Sequence, residues 1–192
     1  MKNLKYTQSG ASLIEVLIAI LILSFGMLSL GGMLSVSVQL PKLSAYRATA
    51  TNLASSHVER IRANPDAFAN GSYVSGLNET SDWSFSTIAI SGSNCVFTGG
   101  TQCTSTTLAA ADINEFRNAV RRELPAGDTI VKCSDSPCLK TSYGELTVVW
   151  QEPSTFAALD ATSADNCPSE VTTLYASPKP KPRCLYVRFK VE

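Results

Sequence analysis

The distribution of apolar and polar positions divides the chain near residue 40. From residue 16 to residue 38 there is no charged side chain, and Leu and Ile dominate. A helix rises about 1.5 Å per residue and a bilayer's hydrocarbon core is about 30 Å thick, so this run is long enough to span one. One carboxylate, Glu15, stands immediately before the run. A carboxylate at the edge of an apolar segment is costly unless it finds a partner. Beyond residue 38 the chain becomes more polar without losing helical character. Leu43, Tyr46, Ala50, Leu53, His57 and Ile61 recur at spacings of three and four, which places them on one helical face. Pro41 interrupts the hydrogen-bond ladder between the two patterns, and a kink or loosening is expected there. Asn64-Pro65 is a stop signal, and Arg60 and Arg62 lie where a helix C-terminus attracts cations. The pattern predicts one long helix over residues 11–63, apolar all round in its first half and amphipathic in its second.

The remaining sequence changes period. Residues 65–76 are expected to form a loop, and residues 83–90 a strand whose alternation shifts near Thr87. Residues 91–107, rich in Gly, Ser and Thr, are expected to form an exposed connection. A second, short helix is predicted over residues 112–124, with Asp112 as cap, Glu115 three residues on, and Ile113, Phe116, Val120 and Leu124 on its apolar face. Pro125 and Gly127 end it. Strands are predicted where Leu146, Val148 and Trp150 alternate, and where Leu185, Val187, Phe189 and Val191 alternate. Residues 128–133 give a weaker strand pattern. Helices and strands segregate along the chain, so the expected class is α+β with a mainly antiparallel sheet.

Charge and cysteine content narrow the function. The chain has 192 residues, with 16 basic and 16 acidic. Loss of residues 1–10 would remove Lys2 and Lys5, leaving 14 basic against 16 acidic, a net charge of −2. No basic excess points to nucleic acid as a partner. Lys2 and Lys5 favour a cytoplasmic N-terminus, which puts the six cysteines on the exported side. There Cys95, Cys103, Cys133, Cys138, Cys167 and Cys184 are expected to form disulfides. Proximity along the chain suggests Cys95–Cys103, Cys133–Cys138 and Cys167–Cys184. A metal site is the rival for Cys133 and Cys138, but no paired CxxC motif accompanies them.

The N-terminal order differs from that of a secretory signal, in which the apolar region precedes the cleavage site. Here a short basic leader ends at Gly10 and the apolar helix follows. Gly10-Ala-Ser-Leu-Ile-Glu15 followed by an apolar run resembles the processing site of type IV prepilins and pseudopilins, although Ala11 stands where the family usually has Phe. The resemblance implies that a prepilin peptidase cuts between Gly10 and Ala11 and methylates Ala11. Glu15 then becomes the fifth mature residue and pairs with the N-terminal amine of a neighbouring subunit. Further patches resemble PilV-type minor pilins: Glu59-Arg-Ile-Arg-Ala-Asn64, Gly71-Ser-Tyr73, Phe116-Arg117, Leu124-Pro-Ala-Gly127 and Leu146-Thr-Val-Val-Trp150-Gln.

The implied architecture is the pilin plan, a long N-terminal helix packed on a mainly antiparallel sheet. Residues 1–10 are a removed leader, 11–40 a transmembrane and filament-core helix, and 41–192 a periplasmic globular domain. The implied function is a minor pilin of a type IV pilus, acting in assembly initiation or at the pilus tip. Its implied partners are the peptidase, other minor pilins and the major pilin, the inner-membrane assembly machinery and a tip-located adhesin. The alternatives are a minor pseudopilin of a type II secretion system and a membrane-anchored periplasmic binding module.

Other constellations carry less. Gly26, Gly31 and Gly32, with Ser24 and Ser29, either permit close helix approach or soften the helix, and the two readings are even. Asp160, Asp165 and Asn166 fit no calcium-loop spacing. His57, the one histidine, is expected to be wedged at the helix–sheet boundary. No Ser-His-Asp or Cys-His arrangement can be built around it, so neither enzymatic activity, cofactor nor metal is expected.

Overall fold

A computed structural model describes residues 12–77, 103–151, 167–174 and 182–191. The chain divides into two units, Met1–Lys42 and Leu43–Glu192. The first unit is helical where described, being the first part of helix α1 (Leu13–Ala63). As the sequence pattern predicts, α1 runs through Pro41 and stops before Asn64-Pro65. Glu15 in its first turn and Arg60 and Arg62 in its last complement the partial charges of the helix ends. The predicted start at Ala11 lies outside the described residues.

The second unit holds the core. Where a loop is predicted after α1, a one-turn helix α2 (Pro65–Ala69) forms, with Pro65 in its first turn. Helix α3 (Ser105–Glu123) starts seven residues before the predicted 112–124 segment. Thr104 caps it by accepting a hydrogen bond from the Thr107 amide at 3.2 Å, and Ala109, Ala110 and Ala111 extend it readily. Asp112, the predicted cap, is therefore a mid-helix residue.

Three antiparallel strands follow, β1 (Asp128–Cys133), β2 (Tyr143–Gln151) and β3 (Pro182–Lys190), in the order β1-β2-β3. The strand expected over residues 83–90 lies outside the described residues. A short helix α4 (Ser169–Leu174), which periodicity does not reveal, precedes β3. The sheet buries both faces. On one face Val131, Leu146, Val148, Trp150 and Phe189 join Ala50, Ala54, Val58 and Ile61 of α1, Phe68 of α2, and Phe116 and Val120 of α3 in a single core. On the other, Ile130 and Val149 pack with Val171 of α4. The predicted class, α+β with a long helix and an antiparallel sheet, is the observed one.

Gly144 shows how tightly the first face is filled. It pairs with Phe189 across β2 and β3, and a Cβ added there would collide with the Phe189 ring. Phe189 is buried and abuts Phe68 at a ring-centroid distance of 5.8 Å, so it cannot swing away freely. Gly144→Ala is expected to cost about 1–3 kcal/mol through overpacking, read as a fall in Tm of the full chain in detergent micelles. An unchanged Tm would show that the Phe189 ring has room to yield.

Candidate functional site

Two features of the first unit bear on function. Within Leu13–Ser35 an 18-residue stretch reaches a mean hydropathy of 2.6, and none of it is buried inside the chain. Two of its hydroxyls are quieted within the helix: Ser24 donates to the Ile20 carbonyl at 2.7 Å, and Ser29 to the Gly26 carbonyl at 2.9 Å. Such a helix presents an apolar surface with these hydroxyls already satisfied, suited to lipid or to other apolar helices. A Cβ built on Gly26, Gly31 or Gly32 meets nothing within the chain, so intrachain packing does not require glycine there. Glu15 is exposed in the first turn, where its amide donates to the Ser12 carbonyl at 3.0 Å. Gly10 and Ala11 lie outside the described residues.

In the second unit a polar network ties the end of α1 to α3. The Arg60 guanidinium donates to Asp112 at 3.2 Å and to Glu115 at 3.1 Å. Asp112 also accepts from the buried Tyr73 hydroxyl at 2.7 Å. The Asn64 amide donates to the Ser105 carbonyl at 2.8 Å and reaches the Tyr73 oxygen at 3.4 Å. Asn64, legible in sequence only as a helix stop, thus joins three segments. Asp112 is needed here as an acceptor, which accounts for its place inside a helix. The hydrogen bond and charge of Arg60 hold the Glu115 carboxyl below its usual range. Burial and the bond to Asp112 raise the Tyr73 hydroxyl well above its usual range.

His57 lies inside this junction. Its ring stacks on Phe116 of α3 at a centroid distance of 4.0 Å and an angle of 5°, and it meets Tyr73 edge-on at 6.0 Å. The residue is therefore wedged between helices, not at the helix–sheet boundary. Among the described residues neither ring nitrogen has a hydrogen-bond partner. Burial, reinforced by the Arg60 and Arg117 charges, lowers its pKa from 6.5 to about 3. A small cavity of about 100 Å³ adjoins it, lined also by Leu53, Ser56, Arg60, Glu115 and Ala119. Ser56 and Glu115 share this cavity, but Glu115 is engaged by Arg60, and no cluster of three metal-ligating side chains occurs among the described residues. The junction is a packing device.

The cysteines follow the sequence expectation in part. Cys167 and Cys184 form a disulfide with Cα atoms 5.3 Å apart, fastening α4 beside β3. Cys103 is disulfide-bonded, while Cys95, its expected partner, lies outside the described residues. Cys133 and Cys138 differ from the expected bridge and stand as thiols, one at the end of β1 and one in the loop after it. Asp160, Asp165 and Asn166 lie outside the described residues.

A charged imidazolium cannot be accommodated between Phe116 and Tyr73 without disturbing the junction. The groups facing it are Arg60 from α1, Asp112, Glu115 and Arg117 from α3, and the Tyr73 hydroxyl. Because the folded pKa of His57 lies below 6.5, the unfolded chain binds the extra proton. Its contribution to stability is complete above pH 6.5 and is lost as pH falls toward 3, at up to about 1.4 kcal/mol per pH unit. Glu115, whose carboxyl is held below its usual range, adds to the loss as pH falls below about 4.5. Urea unfolding of the full chain in micelles should show this acid limb, and His57→Phe should flatten its part between pH 6.5 and 4.5. An identical slope in the variant would remove His57 as the cause.

Comparison with known families adds two matches. The model of the type IV pilin Tt1218 family matches residues 37–114, and that of the prokaryotic N-terminal methylation motif matches residues 5–31. No curated protein and no solved structure matches significantly.

Proposed function

We propose that the chain is a type IV pilin-like protein and, more finely, a minor pilin most like the PilV type, acting where a pilus is initiated or at its tip. Pilins are structural subunits, processed by a prepilin peptidase, anchored in a membrane and assembled into a pilus with other pilins. The carrying observation is the methylation motif over residues 5–31 on a helix whose apolar surface from Leu13 to Ser35 is left uncovered by its own chain. Supporting the minor-pilin reading are the PilV-like patches, which include Arg60 and Tyr73 of the helix junction and Trp150 of the core.

In this reading residues 1–10 are the leader and the peptidase cuts between Gly10 and Ala11, methylating Ala11. Residues 11–40 hold the subunit in the inner membrane as a single pass and later form filament core. Residues 41–192 face the periplasm, where disulfides persist. Glu15 then receives the N-terminal amine of a neighbouring subunit. In a medium poorer than water each charge alone is penalised, and the pair relieves both. Only one axial offset lets the two meet, so the pair sets register. The neighbours are the major pilin and other minor pilins, delivered by the inner-membrane machinery, with a tip-located adhesin as a further contact.

Two tests follow from this chemistry. Protein from pilus-competent cells should begin at methylated Ala11 by intact mass, and Gly10→Val should retain the leader. A wild-type chain still beginning at Met1 in those cells would sink the processing assignment. Glu15→Gln keeps volume and hydrogen bonding but removes charge, so membrane insertion and disulfides should persist while crosslinking to other pilins falls about tenfold or more. Equal crosslinking by a processed, normally expressed variant would leave Glu15 without an assembly role.

A further inference from the structure

Cys133 and Cys138 are thiols in a chain whose other described cysteines are bonded. Cys133 is the last residue of β1, opposite Gly144 of β2, and is half-buried against the main core. The hairpin tightens just beyond it: the Ser134 amide donates to the Tyr143 carbonyl at 2.9 Å, and the Tyr143 amide donates to the Ser134 hydroxyl at 3.0 Å. The connection then folds back, bringing Cys138 against Cys133 so that the two side chains hydrogen-bond. Cys138 is only 8% exposed. The loop is otherwise held by hydrogen bonds from Ser134 and Ser142 to Asp135 and by the Lys140–Asp66 ion pair at 2.7 Å.

We propose that Cys133 and Cys138 are a redox modification site, a dithiol that a glutathione-like or protein disulfide oxidises reversibly to a Cys133–Cys138 bridge, locking the connection between β1 and β2. The order of attack follows from accessibility. Burial, the neighbouring Cys133 and the Asp135 charge push the Cys138 thiol up to about 12, so it stays protonated at neutral pH. Cys133, the less buried of the two, enters first. Its thiolate attacks one sulfur of the oxidant, forming a mixed disulfide and expelling one thiolate. Cys138 then gives up its proton to solvent and attacks the Cys133 sulfur, expelling the second. Two protein thiols become one disulfide, and the oxidant takes up both electrons and leaves as two thiols. The bridge closes a ring around residues 134–137 and fixes the adjoining surface, where Leu139 is exposed and the Arg188 guanidinium lies 4.2 Å over the Tyr143 ring.

The experiment uses full-length protein in detergent micelles, treated with oxidised glutathione and then alkylated in denaturant. A protease that cuts before Asp splits Ser134 from Asp135, between the two cysteines. The expected products are two halves that travel together until a reductant is added, from protein whose Tm has risen by about 4–9 °C. Halves that separate without reductant, or that are joined to other cysteines, overturn the proposal, and an unchanged Tm overturns the locking. In Cys138→Ser, Cys133 should accumulate as a mixed disulfide with glutathione. In Cys133→Ser, Cys138 should react at least tenfold more slowly, and faster reaction there would overturn the order of attack. Neither readout depends on filament assembly, so the site stands or falls separately from the minor-pilin reading.

Discussion

The constraint on which this molecule depends is an apolar helix surface that its own chain does not cover. The Leu13–Ser35 segment buries nothing within the chain, and Ser24 and Ser29 turn their hydroxyls back onto the helix backbone. At about 25 cal/mol per Å² of apolar surface, leaving such a segment in water is prohibitive, so it must be covered by lipid or by equivalent helices. The proposed pilin function calls for both covers in turn. Exchange of lipid for neighbouring helices changes little in hydrophobic energy, because both are apolar. On that reading direction comes from elsewhere, and the role proposed for Glu15 at the start of the span would supply it.

The same helix serves a second purpose in the Leu43–Glu192 unit. There it contributes a stripe of small and branched apolar residues, Ala50, Ala54, Val58 and Ile61, to the core. Its last turns carry the polar partners that hold α3. Arg60 reaches two carboxylates on α3, Asn64 bonds a carbonyl at its first residue, and His57 stacks on Phe116. Arg60 is partly exposed, so its ion pair with Glu115 adds little by itself. The buried Tyr73–Asp112 bond matters more, since removing either partner strands the other in the interior. Orientation of α3 is therefore set by hydrogen bonds, while its attachment comes from Phe116 and Val120.

Disulfides divide the remaining labour. The far face of the sheet has only a small apolar cluster of Ile130, Val149 and Val171, and α4 is one and a half turns long. A helix of that length is not stable alone. The Cys167–Cys184 bond offsets this by fixing α4 beside β3. On the near face the core is deeper, and Cys133 lies half-buried against it.

By itself the sequence determined whatever depends on local period and chain order. The uncharged run, Glu15 at its edge, the α1 terminus at Asn64-Pro65 and the three described strands were all legible, because each is written in neighbouring residues. So was the resemblance to pilins, because the leader, Gly10 and Glu15 lie within a few residues of one another. Proximity along the chain matched the Cys167–Cys184 bridge but not Cys133 and Cys138. Tertiary structure alone decided the roles of polar residues whose partners are distant in sequence. Asp112 has the signature of a cap, yet it accepts from Tyr73 and Arg60, 39 and 52 residues away. Asn64 has the signature of a stop, yet it bridges to Ser105. His57 lies on the stripe that would face a sheet, yet the ring it meets belongs to α3. Helix period tells which side of a helix is buried; it cannot tell which element will bury it. A hydrogen-bonding side chain fits several local motifs equally well, and packing chooses among them by bringing its partner within about 3 Å.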